Sequence, residues 1–184
     1  KRRQFGNIVG HVTGVADMSS LSAWTATQFD PALNWGDVEW IKKRWGGKLI
    51  LKGIMDAEDA RLAVNSGADA LIVSNHGGRQ LDGAPSSIAA LPGIAAAAGK
   101  DIEVWMDGGI RSGQDVLKAR ALGAQGTLIG RSFLYGLGAY GELGVTRVLE
   151  IIRKELDLTM AFCGRTDINT VDTSILLPGT YPTP

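Results

Sequence analysis

The chain has 184 residues, a formal charge of zero from 19 basic and 19 acidic side chains, and a hydrophobic fraction of 45%. That length suits one domain and that apolar fraction is ample for a core, so the disordered and fibrous classes are excluded. Balanced charge without a basic stripe argues against a nucleic-acid-binding protein. The single Cys163 excludes an internal disulfide and argues against a structural zinc site.

The first residues and the cysteine content bear on the origin of the chain. Lys1-Arg2-Arg3 opens it without an initiator methionine, which we interpret as the start of a fragment or a processed piece. The sequence contains no signal peptide and no apolar run long enough to span a bilayer. Together with the lone cysteine, these features predict a cytoplasmic location.

Residues 1–47 form a loop-rich lead-in. We expect one short helix near Leu21–Thr27 and a second helix that is N-capped by Asn34 and runs to about Trp45. His11 has no acidic or nucleophilic neighbour in the sequence, so we interpret it as a surface or packing residue. Four tryptophans favour either a membrane interface or packing of the second helix against the core, and we favour packing; they are Trp24, Trp35, Trp40 and Trp45.

Residues 48–138 repeat one unit four times, an apolar strand, a polar loop and an amphipathic helix. Two of the helix-to-strand joints nearly repeat, Ser66-Gly67-Ala68-Asp69 and Leu122-Gly123-Ala124-Gln125, with the glycine that suits a helix end. The predicted strands are Lys48–Lys52, Ala70–Ser74, Glu103–Met106 and Gly126–Ile129. The helices that follow them are predicted at Ala57–Asn65, Ser87–Ala98, Gly113–Leu122 and Ser132–Leu137. Residues 139–184 supply a longer helix, Gly141–Phe162, and a tail.

This alternation predicts an α/β fold with a parallel sheet covered by helices. An open doubly wound sheet binds its ligand where the strand order reverses, whereas a TIM (β/α)8 barrel collects function from the carboxyl ends of all its strands. Polar or glycine-rich residues follow every predicted strand here, which favours the barrel. Because a barrel needs eight strands, we expect this chain to supply the C-terminal half of one, about four βα units of a single domain.

The stretch from Ser74 to Asp82 follows the second predicted strand and reads SNHGGRQLD. Two glycines separate His76 from Arg79 and let the backbone approach a ligand closely, so both side chains can point at one small anion. Taken alone, such a pair is more often a capped loop with an incidental imidazole than a site. We assign Asp82 only a local role in ordering its loop.

Two further loops place glycines and an arginine just beyond a strand and ahead of a helix, Asp107-Gly108-Gly109-Ile110-Arg111 and Gly130-Arg131. Backbone N–H groups at such helix starts, with a guanidinium alongside, form a phosphate cradle. TIM barrels bind phosphate after their seventh and eighth strands, which is where these loops would fall. The alternative is ordinary turn glycines with arginines in surface ion pairs.

Lys52 ends an apolar strand, where an ammonium group is costly without an anionic partner. We expect a phosphate ester or an anionic cofactor ring to supply that partner. Asp115 and Lys118 are interpreted as a solvated helix face. Together, Lys52, His76, Arg79, Arg111 and Arg131 favour a site that binds a phosphorylated cofactor beside a carboxylate substrate.

These motifs, in this order, resemble the FMN-dependent α-hydroxy-acid oxidase and dehydrogenase family. The similarity extends from Gly6-Asn7-Ile8 through Phe29-Asp30-Pro31 to the long C-terminal helix. Within the family, Gly77-Gly78 followed by Arg79-Gln80-Leu81-Asp82-Gly83 is most similar to the bacterial quinone-linked lactate and mandelate dehydrogenases.

The resemblance implies a barrel that binds FMN and oxidises an L-2-hydroxy acid, with L-lactate favoured, to the 2-oxo acid, and passes electrons to a quinone or a similar acceptor. His76 would be the active-site base and Arg79 would bind the substrate carboxylate. Lys52 would contact the N1/O2 edge of the flavin, with Ser74 nearby. The ribityl and phosphate end would lie on Asp107, Gly108, Gly109, Arg111, Gly130 and Arg131. No metal is expected.

The first half of the family's barrel, with the aspartate that pairs with the catalytic histidine, has no counterpart in this sequence. Because a protonated imidazole without that carboxylate loses stabilisation, we expect the chain to act only together with a separate N-terminal segment. The resemblance also implies a homotetramer and leaves peripheral attachment to the inner face of the cell membrane open. Two alternatives remain, a 2-hydroxy-acid oxidase of the lactate, glycolate or mandelate type that uses oxygen, and a non-catalytic half-barrel that binds FMN or phosphate.

Overall fold

The computed structural model describes residues 8, 11–15 and 17–184. Gly6 and Asn7, which belong to the resemblance, lie outside the described residues. The chain divides into two compact units, Lys1–Asp37 and Val38–Pro184, and each is described by itself. Every residue of the predicted site belongs to the second unit.

The first unit contains helix α1, Met18–Gln28, and the first turn of helix α2, Trp35–Trp45. Asp17 caps α1, because its carboxylate accepts the backbone N–H of the third helical residue at 2.8 Å; this hydrogen bond lowers the pKa of Asp17. Asn34 begins α2 as predicted, since its side-chain oxygen accepts a backbone N–H two residues later at 2.9 Å. His11 is exposed, in keeping with its interpretation as a surface residue.

The second unit alternates strands and helices as predicted. Its four strands are parallel and lie in the order β1-β2-β3-β4, so the sheet has no reversal point of the doubly wound kind. The predicted TIM-barrel architecture, of which this chain supplies four βα units, is confirmed. The elements are β1 Ile50–Ile54, α3 Ala57–Asn65, β2 Ala70–Val73, α4 Ser87–Ala98, β3 Glu103–Met106, α5 Gly113–Ala121, β4 Gly126–Thr127 and α6 Arg131–Phe162.

Three strands differ from the prediction, and β2 does so only by ending one residue earlier, at Val73. β1 lies two residues later than expected, so Lys52 is its central residue, and Gly53 forms a β-bulge where the register with β2 shifts. The φ of Gly53 is +103°, which glycine adopts without a steric penalty. β4 is limited to two residues, although the Leu128 N–H still donates to the Met106 carbonyl at 2.9 Å.

Helix α6 contains the two helices that the sequence predicts. Tyr140 and Gly141 leave the helical φ/ψ region and divide it into two parts. Gly136 and Gly144 bring these parts together, because a Cβ on Gly136 would lie only 2.4 Å from the Gly144 carbonyl oxygen. The long α6 is therefore a pair of helices packed backbone to backbone.

The core forms on both sides of β2, which is buried along its whole length as expected of a central strand. Its largest fully buried side chains come from the sheet, α4 and α5, namely Leu71, Val73, Leu91, Ile94, Val104, Met106 and Leu117. A second cluster joins α5 to the C-terminal segment through Leu117, Ala121 and Val171. Gly113 lets α5 approach α6 closely, since a Cβ there would lie 2.0 Å from the Leu156 backbone nitrogen.

The prediction that the tryptophans pack the core is wrong for α2. Trp40 is 64% exposed and Trp45 is 67% exposed, and α2 has no buried residue. Polar contacts hold this helix instead: the Lys42 ammonium binds the Asp69 carboxylate, and the Trp45 indole N–H donates to the Lys48 carbonyl at 3.1 Å. Within the described ranges, no helix combines the length and apolar character needed to cross a bilayer.

The two repeated helix-to-strand joints make the same kind of contact. The Asp69 carboxylate accepts the Leu49 N–H at 2.8 Å, and the Gln125 side-chain oxygen accepts the Val104 N–H at 2.7 Å. Hydrogen bonds from Lys42 and then Lys48 hold the pKa of Asp69 well below its usual value. The sequence repeat therefore reflects a side chain that ties each joint to the neighbouring strand.

Candidate active site

A cleft of about 920 Å³ opens where the four strands end. This volume suits a small-molecule site, since such sites measure roughly 300–1,000 Å³. Ser74 is completely buried and does not line the cleft. All the other predicted site residues line it: Lys52, His76, Arg79, Asp107, Gly108, Gly109, Arg111, Gly130 and Arg131.

His76 adopts an unusual backbone conformation beside Gly53. Its φ of +57° is the sole positive φ of a non-glycine residue in the described part of the chain, and such residues cluster at functional sites. The imidazole lies against the bulge of β1, because a Cβ placed on Gly53 would lie 2.7 Å from the ring Cε1. No described residue hydrogen-bonds to the imidazole. The ring thus occupies space that only a glycine at this bulge leaves open.

Ser74 connects the residues at the base of the cleft. Its Oγ accepts hydrogen bonds from Lys52 Nζ at 2.8 Å and from the His76 backbone N–H at 3.1 Å. A direct contact between Ser74 and the cofactor stays a prediction. The buried Ser74 hydroxyl therefore holds the Lys52 side chain and the His76 backbone.

Lys52 has its anionic partner within the chain. Its Nζ lies 3.1 Å from Asp107 Oδ2, and its side chain is 41% exposed. Lys52 therefore does not depend on a phosphate or a cofactor ring for neutralisation, because Asp107 supplies an opposite charge and water reaches the lysine. Its contact with a cofactor stays a prediction. This ion pair joins β1 to the loop after β3.

Three guanidinium groups around the cleft have no partner. Arg79, Arg111 and Arg131 are exposed, and their guanidinium groups make no hydrogen bond or ion pair with any residue that the structure describes. The alternative that these arginines serve surface ion pairs is not observed. Guanidinium groups bind carboxylates and phosphates through paired hydrogen bonds, so their convergence favours anionic ligands.

Asp115 orders the loop that carries Arg111. Its Oδ2 accepts the backbone N–H groups of Arg111 and Ser112, both at 3.0 Å, and the Ser112 hydroxyl at 2.9 Å. The interpretation of Asp115 as a solvated helix face is wrong, because it forms a capping box with Ser112 at the start of α5. The serine three residues earlier was the available signal. Lys118 is exposed as expected.

Sequence reasoning also missed Asn75 and Ser87. The Asn75 N–H donates to the Ser87 Oγ at 3.2 Å, and the Asn75 side-chain oxygen accepts the Gly77 N–H at 3.0 Å. An asparagine two residues before a glycine is a common turn signal, which could have pointed to the second contact. The first contact joins residues twelve positions apart and has no local signal.

The cleft fits a phosphorylated ligand with hydroxyl groups. α6 begins without a side-chain cap, so its first backbone N–H groups remain donors beside Arg131. A Cβ on Gly109 or Gly130 would meet no atom within 4 Å, which leaves the backbone open to a ligand. Asp107 Oδ1 is a buried acceptor without a hydrogen-bond partner among the described residues, and a ligand hydroxyl is the kind of donor it lacks. The described residues contain no group of three or more His, Cys, Asp or Glu that could hold a metal ion.

Comparison with known proteins places these residues in a family context. The FMN-dependent dehydrogenase family matches residues 3–178. The L-lactate dehydrogenase of Caulobacter vibrioides (strain NA1000 / CB15N) is 46% identical over 173 residues, which cover 94% of this chain and 45% of that protein. The chain therefore spans about half the length of the curated relatives that it matches.

Solved structures of mandelate dehydrogenase and mandelate oxidase have the same fold as this chain over the parts that superpose. (S)-mandelate dehydrogenase, described as a monotopic membrane protein, superposes with a TM-score of 0.82 and 40% identity over 89% of this chain and 43% of that one. Mandelate oxidase with (S)-2-phenylpropionate superposes with a TM-score of 0.73 and 45% identity over 76% of this chain and 42% of that one. Sequence, fold and cleft agree, and the chain belongs to the family of FMN-dependent dehydrogenases.

Proposed function

We propose that the protein to which this chain belongs uses FMN to oxidise an L-2-hydroxy acid, with L-lactate favoured, to the 2-oxo acid, and passes the electrons to a quinone or a similar acceptor. The observation that carries this proposal is the convergence of the His76 imidazole and three unpartnered guanidinium groups on one cleft. A base beside one guanidinium suits a hydroxyl group next to a carboxylate. The other two guanidinium groups suit a phosphate.

The cofactor-binding residues divide by chemistry. Arg111 and Arg131, with the free N–H groups at the start of α6, hold the FMN phosphate. Asp107 accepts a hydrogen bond from a ribityl hydroxyl group, and the cradle is completed by Gly108, Gly109 and Gly130. Bound FMN supplies the acceptor for the electron pair that leaves the substrate.

Lys52 would hold the flavin ring with its ammonium group. Ser74 and Asp107 hold that ammonium by the 2.8 Å hydrogen bond and the 3.1 Å ion pair. A cation fixed by two partners needs little reorganisation when negative charge develops beside it, which is how electrostatic stabilisation lowers a barrier.

Arg79 and His76 act on the substrate. Oxidation of a 2-hydroxy acid to a 2-oxo acid removes two electrons and two protons, one proton from the hydroxyl group and one from C2. Arg79 binds the carboxylate and orients C2, a His76 ring nitrogen receives one of the two protons, and the other proton leaves with the electron pair. The carboxylate that stabilises the resulting imidazolium is proposed to lie in the N-terminal segment.

The proposed partner of this chain is that N-terminal segment, which supplies the other barrel strands. Support comes from the four-stranded sheet, since a barrel of this class needs eight strands. Intact mass of the purified protein tests the proposal: we expect a longer chain or a companion fragment. A sole species near 19.5 kDa would contradict it.

Assembly and location are proposed from the relatives. We propose a homo-oligomer in the cytoplasm that attaches peripherally to the inner face of the cell membrane. The likeness to (S)-mandelate dehydrogenase, described as a monotopic membrane protein, supports the attachment. Flotation of the holoprotein with anionic lipid vesicles should recover it in the lipid fraction, and recovery only in the soluble fraction would contradict the attachment.

Anaerobic mixing with L-lactate, L-mandelate and glycolate tests the activity, with flavin absorbance as the signal. We expect bleaching that is fastest with L-lactate, and reoxidation that is faster with a quinone than with oxygen. His76→Ala should retain bound FMN without being bleached. Bound flavin that no 2-hydroxy acid bleaches would favour the non-catalytic half-barrel. Rapid reoxidation by oxygen would favour the oxidase alternative, which the likeness to mandelate oxidase supports.

A further inference from the structure

We propose that Asn75 is a positioning residue that directs His76 and Arg79 to the cleft through two separate hydrogen bonds of one amide side chain. The inference rests on the proposed function, because it concerns how those two side chains reach the substrate. Asn75 itself is half-buried between β2 and the loop that carries both.

The first contact fixes His76. The Asn75 Oδ1 accepts the Gly77 N–H at 3.0 Å, and the Asn75 carbonyl accepts the Gly78 N–H at 3.0 Å. These bonds close a turn around a residue whose φ of +57° is unfavourable for any side chain with a Cβ. His76 therefore keeps its conformation only while its neighbours are held.

The second contact fixes the far end of the same loop. The Asn75 Nδ2 donates to the Pro85 carbonyl at 3.2 Å. Residues 79–83 between the two contacts are exposed, and their one side-chain hydrogen bond with the described part of the chain is the local bond from the Gly83 N–H to Asp82. The Arg79 N–H donates to the His76 carbonyl at 3.4 Å, so one end of this exposed stretch is tied to the turn and the other end to Pro85. The course of the chain on the C-terminal side of Arg79 therefore depends on where Pro85 is anchored.

Asn75 can serve both ends because it is itself confined. Its N–H donates to the Oγ of Ser87, which is 2% exposed at the start of α4. On the other side, a Cβ added to Gly108 would lie 3.4 Å from the Asn75 Oδ1. The amide orientation follows from its partners, since an N–H needs the oxygen and a carbonyl needs the nitrogen.

The two contacts can be separated by substitution in the FMN-loaded holoprotein. Asn75→Asp keeps the acceptor for Gly77 and loses the donor to Pro85, whereas Asn75→Ala loses both. Asn65→Ala is the matched control, because Asn65 ends α3, is exposed and makes no side-chain hydrogen bond with the described residues. Each variant is measured for the rate of flavin reduction by L-lactate, the KM, the FMN absorbance and the unfolding midpoint.

We expect Asn75→Asp to raise KM roughly tenfold through Arg79 while the limiting rate stays close to that of the control. Asn75→Ala should also lower the limiting rate, by about 100-fold if the imidazole moves by about 1 Å. FMN absorbance and the unfolding midpoint should match those of Asn65→Ala. The proposal is overturned if Asn75→Asp and Asn75→Ala change the KM and the limiting rate by the same factors, or if both variants behave like the control. It is also overturned if the variants lose FMN together with the fold.

Hydrogen exchange followed by mass spectrometry separates this inference from the proposed function. If no 2-hydroxy acid reduces the wild-type flavin, the proposed activity fails, and exchange alone then decides about Asn75. Protection of the segment 76–79 should be kept in Asn75→Asp and lost in Asn75→Ala. Equal protection of this segment in the two variants would overturn the proposal.

Discussion

Gly53→Ala adds a methyl group to the space that the His76 imidazole occupies. The new Cβ would lie 2.7 Å from the ring Cε1 and 3.4 Å from Nε2. Non-bonded carbon atoms normally sit about 3.5–4.0 Å apart. The imidazole must therefore retreat by roughly 1 Å, or the bulge of β1 must open by a similar amount.

The size of the effect follows from that displacement. A misplacement of about 1 Å costs on the order of 100-fold in rate, or about 2.7 kcal/mol of transition-state stabilisation. Stability falls for a separate reason, because the φ of +103° at Gly53 is strained for alanine. Such strain and overpacking cost about 1–3 kcal/mol.

Anaerobic flavin reduction at saturating 2-hydroxy acid measures the first effect, and chemical denaturation measures the second. Gly123→Ala is the matched control: its φ is +108° and its Cβ would lie 2.6 Å from the Ala95 Cβ, but it does not line the cleft. Both variants should lose similar stability, and only Gly53→Ala should lose the rate. Equal rates in the two variants would refute the placement of the imidazole against the bulge.

Three further experiments test other parts of the molecule. Gly113→Ala should destabilise the fold by about 1–3 kcal/mol, because its Cβ would lie 2.0 Å from the α6 backbone; Gly138→Ala, in a helix with no atom within 4 Å of the new Cβ, should instead stabilise it by about 0.5–1 kcal/mol. Denaturation curves measure both, and shifts of the same sign would contradict the close packing of α5 on α6. Asp69→Asn should lower the unfolding free energy at neutral pH, and this loss should become progressively smaller below a pH of about 3.8. The reason is that the hydrogen bond from Lys42 lowers the pKa of Asp69 in the folded protein. The stabilisation by Asp69 is therefore present above its pKa in the unfolded chain and is lost as the pH falls through its pKa in the folded protein. A difference in unfolding free energy that does not shrink in acid would contradict this. Arg111→Met should weaken FMN binding roughly tenfold to a hundredfold, measured by quenching of FMN fluorescence in the apoprotein, and an unchanged dissociation constant would remove this arginine from the phosphate site.

Local patterns predicted most of the secondary structure. α3, α4 and β3 have the bounds that the sequence predicts, because each combines a clear hydrophobic period with a polar start. β1 was placed too early because Gly53 resembles a strand end. The strand instead continues past the glycine through a bulge. The bulge leaves space for the His76 ring, which lies more than twenty residues away in the sequence.

Contacts between distant residues were the part that the sequence could not supply. The motifs predicted that Lys52 and Asp107 share the site, but the 3.1 Å pair between them depends on how β1 and β3 flank β2. The exposure of Trp40 was missed for a similar reason, since its helix is held by polar contacts that no periodicity reveals. Residue types and motifs predicted which side chains line the cleft. The strand order determines which of these side chains are in contact.

The charge of the cleft links these contacts to the proposed ligands. Its lining contains four cationic side chains and one acidic side chain, Asp107, which is paired with Lys52. The three remaining positive charges are the unpartnered arginines. A phosphate ester carries about 1.5 to 2 negative charges near neutral pH, and a substrate carboxylate adds one more. A cofactor phosphate and one carboxylate would therefore balance the cleft, whereas a neutral ligand or a single carboxylate would leave two or three guanidinium groups without a partner.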